Sequence, residues 1–438
     1  MSVAVAIVGS GPAGFYAADA LLGKLPGCRI DILDRLPTPF GLVRAGVAPD
    51  HLSTKNVIRL YEKILDKDGV RLLGNVGLGR DVSYDELKRL YDVVVLAFGA
   101  EEPRRLCVPG EDRAGVVNVT DFVGWYNAVP GARDCAPDLA GVRGAVVIGN
   151  GNVALDVARL LAKTAEELAR GDIAPPAAAA ITAAPITDIW VIGRRGPVQS
   201  SFSFPVLSEF SGLVEAMALV DPGQLPADAS AAEEAERRKK EKNLQVLKIL
   251  AANSADDKPV RIHFAFCAAP VAVLGEARMT GLELMRNRLE GNRAVATGET
   301  FRIDAQLMVP TIGYRVSPIA GLPFDSERGI VANRDGRVEP GVYVVGWAKR
   351  GPTGVVGTNR VDSRTVVELI AADGPKAGKP GGGGLDELLR ARGVRVIGTA
   401  DWRIIDAAER ARGRDARPRE KLATIEAMLA VLDSEAAA

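Results

Sequence analysis

Residues 3–18 read VAVAIVGSGPAGFYAA, and the reading of the fold turns on that stretch. Residues 3–8 are a short, unbroken apolar run that stops at a glycine, the pattern of a strand buried on both faces. Gly9-Ser10-Gly11-Pro12-Ala13-Gly14 comes next, and FYAADALLGKL then carries apolar residues at helical spacing. A second strand-like run, CRIDIL, ends at Asp34, 20 positions after Gly14. Strand, G-x-G-x-x-G, helix, strand and acid at these offsets form a dinucleotide-binding βαβ unit. Gly9 permits the tight turn, Gly11 lets a pyrophosphate approach the backbone, and Gly14 lets helix and strand pack closely. The free N–H groups of the helix N-terminus take the phosphates, and Asp34 accepts from a ribose hydroxyl.

The pattern begins again near residue 145. AVVIG leads into Gly149-Asn150-Gly151-Asn152-Val153-Ala154, followed by LDVARLLA at helical spacing. Alanine at the third glycine position is a variant that the fingerprint allows. The following strand, DIWVIG, ends in Arg194-Arg195 instead of an acid. A carboxylate there would repel a 2′-phosphate, whereas two guanidiniums can pair with one. The second site is therefore expected to take NADP(H) and the first an unphosphorylated ribose, for which FAD with NADP(H) is the natural pairing.

Between and beyond the two units, YDVVVLAFGAEEPR (91–104) and QLMVPTIGYRVSP (306–318) read as crossover strands ending at glycines. GVYVVGWAKRGPTGVVGTN (341–359) then returns to strand, glycine turn and helix. The expected fold class is α/β, with two Rossmann-like three-layer dinucleotide-binding domains. Residues 1–103 and 320–438, the latter with a C-terminal extension, make the FAD domain, and an NADP-binding domain is inserted at 104–319. Segment 228–242, in ADASAAEEAERRKKEKN, reads as a charged, exposed helix, and GPKAGKPGGGG (374–384) as a flexible loop.

Composition narrows the chemistry. In 438 residues, 55 basic side chains balance 55 acidic ones, which gives no electrostatic case for nucleic-acid or membrane-surface binding. No run of 18 apolar residues exists, and the chain passes from Met1 straight into a strand-like run, so no membrane span and no signal peptide are expected. Cys28, Cys107, Cys135 and Cys267 are scattered singly, which suits a reduced, cytoplasmic setting and no metal site. Without a Cys-x-x-Cys or Cys-x4-Cys pair the chain is no disulfide reductase, and without clustered cysteines it holds no iron–sulfur relay. Electrons entering from NADPH must leave to a diffusible acceptor.

The chain resembles the adrenodoxin-reductase-type ferredoxin–NADP+ reductases, mitochondrial and bacterial. The resemblance is carried by VGSGPAGFYAA (8–18), PFGLVRAGVAPDH (39–51), FVGWYNAVP (122–130), GNGNVALDVAR (149–159), WVIGRRGPVQ (190–199) and GWAKRGPTGVVGTNR (346–360), and it extends into the tail from Trp402. It implies an FAD-dependent enzyme that passes electrons from NADPH to a ferredoxin. It places FAD contacts at Ala13, Asp34, Leu42, Val76, Trp347, Gly354, Val355 and Val356. NADP(H) is placed at Asn150, Gly151, Asn152, Val153, Arg194, Arg195 and Gly354, with Arg104 as a further contact. His51 and Glu209 are implied as the catalytic pair that orients the nicotinamide and moves protons. Two positions depart from the pattern: Asp34 stands where glutamate is usual, and Val206 replaces the first of two glutamates spaced three apart, of which Glu209 is the second.

The expected partner is a ferredoxin, steered by basic charge; Arg237-Arg238-Lys239-Lys240 is one candidate run, or equally a solvated helix face. No nucleic-acid or membrane partner is expected, and a monomer is the expected state. Two other readings stay open on sequence alone. One is a reductase whose acceptor is a quinone, a flavodoxin or oxygen. The other is a flavin-binding redox sensor without turnover.

Overall fold

The computed structural model describes residues 2–255, 257–414 and 416–436. The chain divides into two compact units. The first comprises Met1–Glu102, Asn127–Arg133 and Gly313–Ala438; the second comprises Pro103–Tyr126 and Asp134–Ile312.

In the first unit, strand β1 (Ala4–Val8), helix α1 (Pro12–Lys24) and strand β2 (Arg29–Leu33) form the first βαβ element. The six-stranded sheet runs in the order Arg337–Glu339, Val342–Val344, Val93–Leu96, β1, β2, Val70–Leu73. β1 is parallel to β2 from Ala4↔Arg29 to Val8↔Leu33, and to Val93–Leu96 from Val5↔Val93 to Val8↔Leu96. Only the edge strand Arg337–Glu339 is antiparallel. All five residues of β1 are buried. Because side chains alternate, Val5 and Ile7 join the core around Phe15, Tyr61 and Ile30, while Ala4, Ala6 and Val8 join the opposite core around Leu96, Val344 and Leu385. A strand covered on both faces has no polar register, hence its continuous apolar run. Strand order reverses at β1, so the crevice at its carboxyl end is the topological switch point where open α/β sheets bind ligands.

The second unit repeats the design. Its five-stranded parallel sheet has the order Leu307–Pro310, Gly144–Ile148, Asp188–Ile192, Val260–Ala265, Ala216–Val220. Gly144–Ile148 lies between Leu307–Pro310 and Asp188–Ile192 and is fully buried, so its end is again a switch point. An antiparallel sheet of Ala268–Leu274, Gly281–Glu290 and Arg293–Asp304 packs Leu282, Leu284 and Ile303 against Val146, Ile148 and Ile192.

Details differ from the sequence-based boundaries. Residues 127–133 go with the first unit, where the Asn127 side chain accepts a hydrogen bond from Lys421 (3.2 Å). The return crossover ends at Ile312, not at 319, because Val316 is buried in the core of the first unit. The charged helix spans Glu234–Leu250 in place of 228–242, because Leu244, Val246, Leu247 and Leu250 give its second half a buried face. The glycine run 381–384 is not all loop: Gly382 opens a helix, Gly382–Ala391. A β-carbon on Gly382 would lie 2.6 Å from the Asp31 carboxylate, so only glycine lets this helix approach β2.

Candidate nucleotide-binding sites

The first site is built at the end of β1. Gly9 has φ +112°, and a β-carbon there would sit 2.6 Å from the Ala97 carbonyl oxygen. Gly14 lies under the turn, where a side chain would collide with the Gly9 carbonyl. Gly11 is the N-cap of α1, and no side chain caps it; Pro12 occupies the first turn. The helix thus presents unsatisfied N–H groups and the positive end of its dipole to the crevice. Asp34 is part-buried; its carboxylate accepts from the Ser10 backbone N–H (3.1 Å), the Ser10 hydroxyl (2.5 Å) and the Leu36 N–H (3.0 Å). Burial pushes its carboxyl above the usual range, and the Ser10 hydrogen bonds act against that shift.

A second loop closes on this turn. Phe40 (φ +85°) donates its N–H to the Ser10 carbonyl (3.0 Å), and Gly41 (φ +48°) approaches so closely that a β-carbon would lie 2.8 Å from the Gly11 Cα. Leu42 follows, 41% exposed. From the far end of the chain, Gly346 (φ +70°) stands against Ala13, where a β-carbon would come within 2.7 Å of the Ala13 Cβ. The Ser363 hydroxyl donates to the Ala13 carbonyl (2.9 Å). Trp347 donates its indole N–H to the Thr353 carbonyl (3.1 Å) and stacks near Tyr314. Gly354 (φ +82°) and exposed Val355 lead through part-buried Val356 into the Thr358–Asp373 helix, whose N-cap Gly357 is also without a side-chain cap. The structure therefore gathers Gly9, Gly11, Ala13, Gly14, Asp34 and the Gly346–Trp347 turn around one crevice. Val76 is buried in the core beside it, its N–H bonded to the Asp34 carbonyl (2.8 Å). His51 is the half-buried N-cap of the short Leu52–Lys55 helix in the same unit.

The second unit carries the other site. Gly149 (φ +141°) packs on Thr311, Asn150 follows, and uncapped Gly151 starts the helix Asn152–Leu161, with Val153 in its first turn. The Oδ1 atom of Asn150 is buried without a hydrogen-bond partner, an acceptor left for something beyond the chain itself. Segment Ser201–Ser203 lies over the turn. Ser201 and Phe202 donate N–H to the Asn150 carbonyl (2.8 and 3.1 Å), and Ser203 donates to the Asn152 side chain (2.7 Å). Arg194 and Arg195 are exposed just past the Asp188–Ile192 strand. Their carbonyls are bonded to Asn287 and Cys267, but neither guanidinium has an ion pair among the described residues. Glu209 pairs with Arg159 (3.0 Å), which is fully buried on the Asn152–Leu161 helix and also meets Asp156 (2.9 Å). Arg104 is exposed near the start of this unit.

Both crevices fit a dinucleotide: open backbone at the middle glycine, an uncapped helix N-terminus, and a discriminating side chain after the second strand. Sequence reasoning missed Ser10, Gly41 and Ser201. Only Gly41 left a signal, a glycine after proline and phenylalanine, which a positive-φ contact requires. The four cysteines are free thiols, and no described helix is long and apolar enough to cross a membrane.

A family profile described as pyridine nucleotide-disulphide oxidoreductase matches residues 3–183. The chain is 40% identical to the mitochondrial NADPH:adrenodoxin oxidoreductase of Arabidopsis thaliana, covering 97% of this chain and 94% of that one. It is also 40% identical to the NADPH-ferredoxin reductase FprA of Mycobacterium tuberculosis, covering 98% of each. The solved structure of that FprA in complex with NADPH superposes with a TM-score of 0.94 at 39% identity, over 98% of this chain and 99% of the other.

Proposed function

The chain belongs to the family of NADPH-ferredoxin and NADPH:adrenodoxin reductases, and from that premise we propose that it is an FAD-dependent NADPH:ferredoxin oxidoreductase. The observation that carries the reading is the contrast between two otherwise equivalent glycine turns, one followed by Asp34 and the other by unpaired Arg194 and Arg195. When bound, FAD supplies the conversion of a two-electron hydride into single electrons, which an iron–sulfur protein can accept for haem monooxygenases or similar enzymes.

The residues divide the work. Gly9, Gly11 and Gly14 with the α1 N-terminus hold the FAD pyrophosphate, and Asp34 accepts from its ribose. Ala13, Leu42, Val76, Trp347, Gly354, Val355 and Val356 enclose the remainder. Asn150, Gly151, Asn152 and Val153 take the NADP(H) pyrophosphate and Arg194 and Arg195 its 2′-phosphate, with Arg104 and Gly354 as further contacts of the coenzyme. His51 and Glu209 orient the nicotinamide and carry protons, an imidazole being able both to donate and to accept one. Hydride transfer needs no side-chain acid, since geometry between the rings supplies most of the effect. The reading includes a monomer in the cytoplasm with no nucleic-acid or membrane partner, consistent with the free cysteines and the balanced charge.

The test is NADPH oxidation by the purified flavoprotein with a panel of acceptors: a native ferredoxin, a flavodoxin, a quinone and oxygen. The highest catalytic efficiency is expected with the ferredoxin. A preference for a quinone or oxygen replaces the acceptor, and no turnover with any of them removes the enzyme reading.

A further inference from the structure

We propose that Lys240 is a third cation of the 2′-phosphate subsite formed by Arg194 and Arg195, and that it contributes to the choice of the phosphorylated coenzyme. The proposal rests on the NADP(H) reading of the second site.

Lys240 belongs to a basic run whose members have separate fates. Lys239 is bonded to Glu236 (2.7 Å), and Arg237 lies 3.7 Å from Glu234, each one helical turn away on the solvated face. Lys240 instead turns inward, half-buried, and donates to the Ser200 carbonyl. Asn243, three residues on and therefore on the same face, donates to the Phe202 carbonyl (3.0 Å) and is fully buried. These two side chains seat the Glu234–Leu250 helix on residues 200–202. That segment in turn donates Ser201 and Phe202 N–H to the Asn150 carbonyl of the glycine turn. The Lys240 ammonium is thus fixed to the short loop that begins with Arg194 and Arg195 and ends over the dinucleotide turn.

Burial and the positive charge of Arg195 both hold the Lys240 pKa below its usual range, so the two cations sense one another. Glu236 offsets part of this, but it already pairs with Lys239. Lys240 thus adds its charge to that of Arg195 at the end of a loop whose two arginines have no carboxylate partner among the described residues, an arrangement that costs free energy until an anion enters. One carbonyl satisfies one of the three ammonium N–H groups, which leaves two to donate. A phosphomonoester, with a charge of about −1.5 to −2 at neutral pH, is the ligand that matches.

The experiment compares two probes that differ only in the 2′-phosphate, adenosine 2′,5′-diphosphate and 5′-AMP. Each competes with NADPH for the flavin-loaded enzyme, in wild type, in Lys240→Gln and in the double variant Arg194→Ala, Arg195→Ala. In Lys240→Gln the inhibition constant of the diphosphate is expected to rise about tenfold relative to that of AMP, the loss of one charge-assisted contact at a partly exposed site. Equal weakening of both probes, as expected if Lys240 only latches the loop, overturns the proposal. So does no weakening of either. If the arginine variant abolishes discrimination while Lys240→Gln keeps it, the proposal fails and the coenzyme reading stands. If both variants keep it, the coenzyme reading fails as well.

Discussion

Glu409 clasps Arg44 through two parallel hydrogen bonds, 2.8 Å from Nη1 to Oε2 and 2.5 Å from Nη2 to Oε1, with the carboxylate fully buried. Arg44 lies three residues past Gly41, in the short helix Leu42–Ala45 that follows the loop closing on the first glycine turn; Glu409 lies on the helix Thr399–Ala411. Arg44 also sits over the Trp402 ring, and its carbonyl accepts from Lys421 (3.3 Å). The C-terminal extension is thereby stapled to the loop that shapes the FAD crevice. Removing one partner of a buried ion pair leaves an uncompensated charge, which costs about 3–5 kcal/mol. Glu409→Ala is therefore expected to lower unfolding stability by that order, measured by urea titration of the flavin-loaded protein. A loss below about 1 kcal/mol contradicts the staple.

Gly41 is required by contact and by conformation together. Its φ of +48° disfavours any side chain, and a β-carbon would press on the Gly11 Cα. Gly41→Ala is expected to distort the first glycine turn while leaving both sheets intact. The measurement is the flavin-to-protein ratio after gel filtration alongside far-ultraviolet circular dichroism. The expected result is a ratio well below that of wild type with an unchanged spectrum; full flavin retention removes the argument.

Glu86 contributes to the acid limit of stability. Its carboxylate accepts from Arg392 (2.7 and 3.0 Å) and from the Ser83 N–H (2.9 Å) in a capping box, and these bonds hold its pKa down to about 2, against an ordinary 4.5. A carboxyl depressed in the folded state contributes stability above its unfolded pKa and loses that contribution as pH falls through the folded value. Glu86→Gln is expected to be less stable than wild type at pH 7, with the difference shrinking between about pH 4.5 and pH 2. Urea midpoints across that range check it, and a difference independent of pH contradicts the assignment.

The arginine pair gives the sharpest coenzyme prediction. Losing both guanidiniums removes two partly exposed phosphate contacts, roughly 2–4 kcal/mol of NADPH affinity. NADH carries no 2′-phosphate, so its affinity is expected to stay nearly the same in Arg194→Ala, Arg195→Ala. Kd values from titration of both coenzymes decide it, and equal weakening means the pair is structural.

Much of this was legible in the sequence because its constraints are local. A strand buried on both faces, a glycine that must take positive φ, and an acid or an arginine pair just after the second strand all declare themselves within a single βαβ unit. What stayed hidden depends on distant partners. Nothing near Arg44 announces Glu409, and nothing in FVGWYNAVP separates Tyr126 from Asn127, where the chain changes unit. The glycines at 382–384 read as a flexible loop because glycine gives no helical signal, although a close approach to Asp31 is the reason for the first of them. The charge run points to a helix at 228–242, whereas the buried half, LQVLKIL, sets it at Glu234–Leu250. In the sequence Lys240 is one of a run of basic residues, and only the fold separates its side chain, turned inward, from those paired with glutamates.

The most direct test of the central claim, two nucleotide sites that differ in their ribose preference, is an anaerobic visible absorption spectrum of the purified protein. It is recorded before and after NADPH, and separately before and after NADH. The account predicts a yellow, FAD-type spectrum that NADPH bleaches rapidly and NADH bleaches slowly. A colourless protein that takes up no flavin, or a flavin that neither coenzyme bleaches, contradicts it.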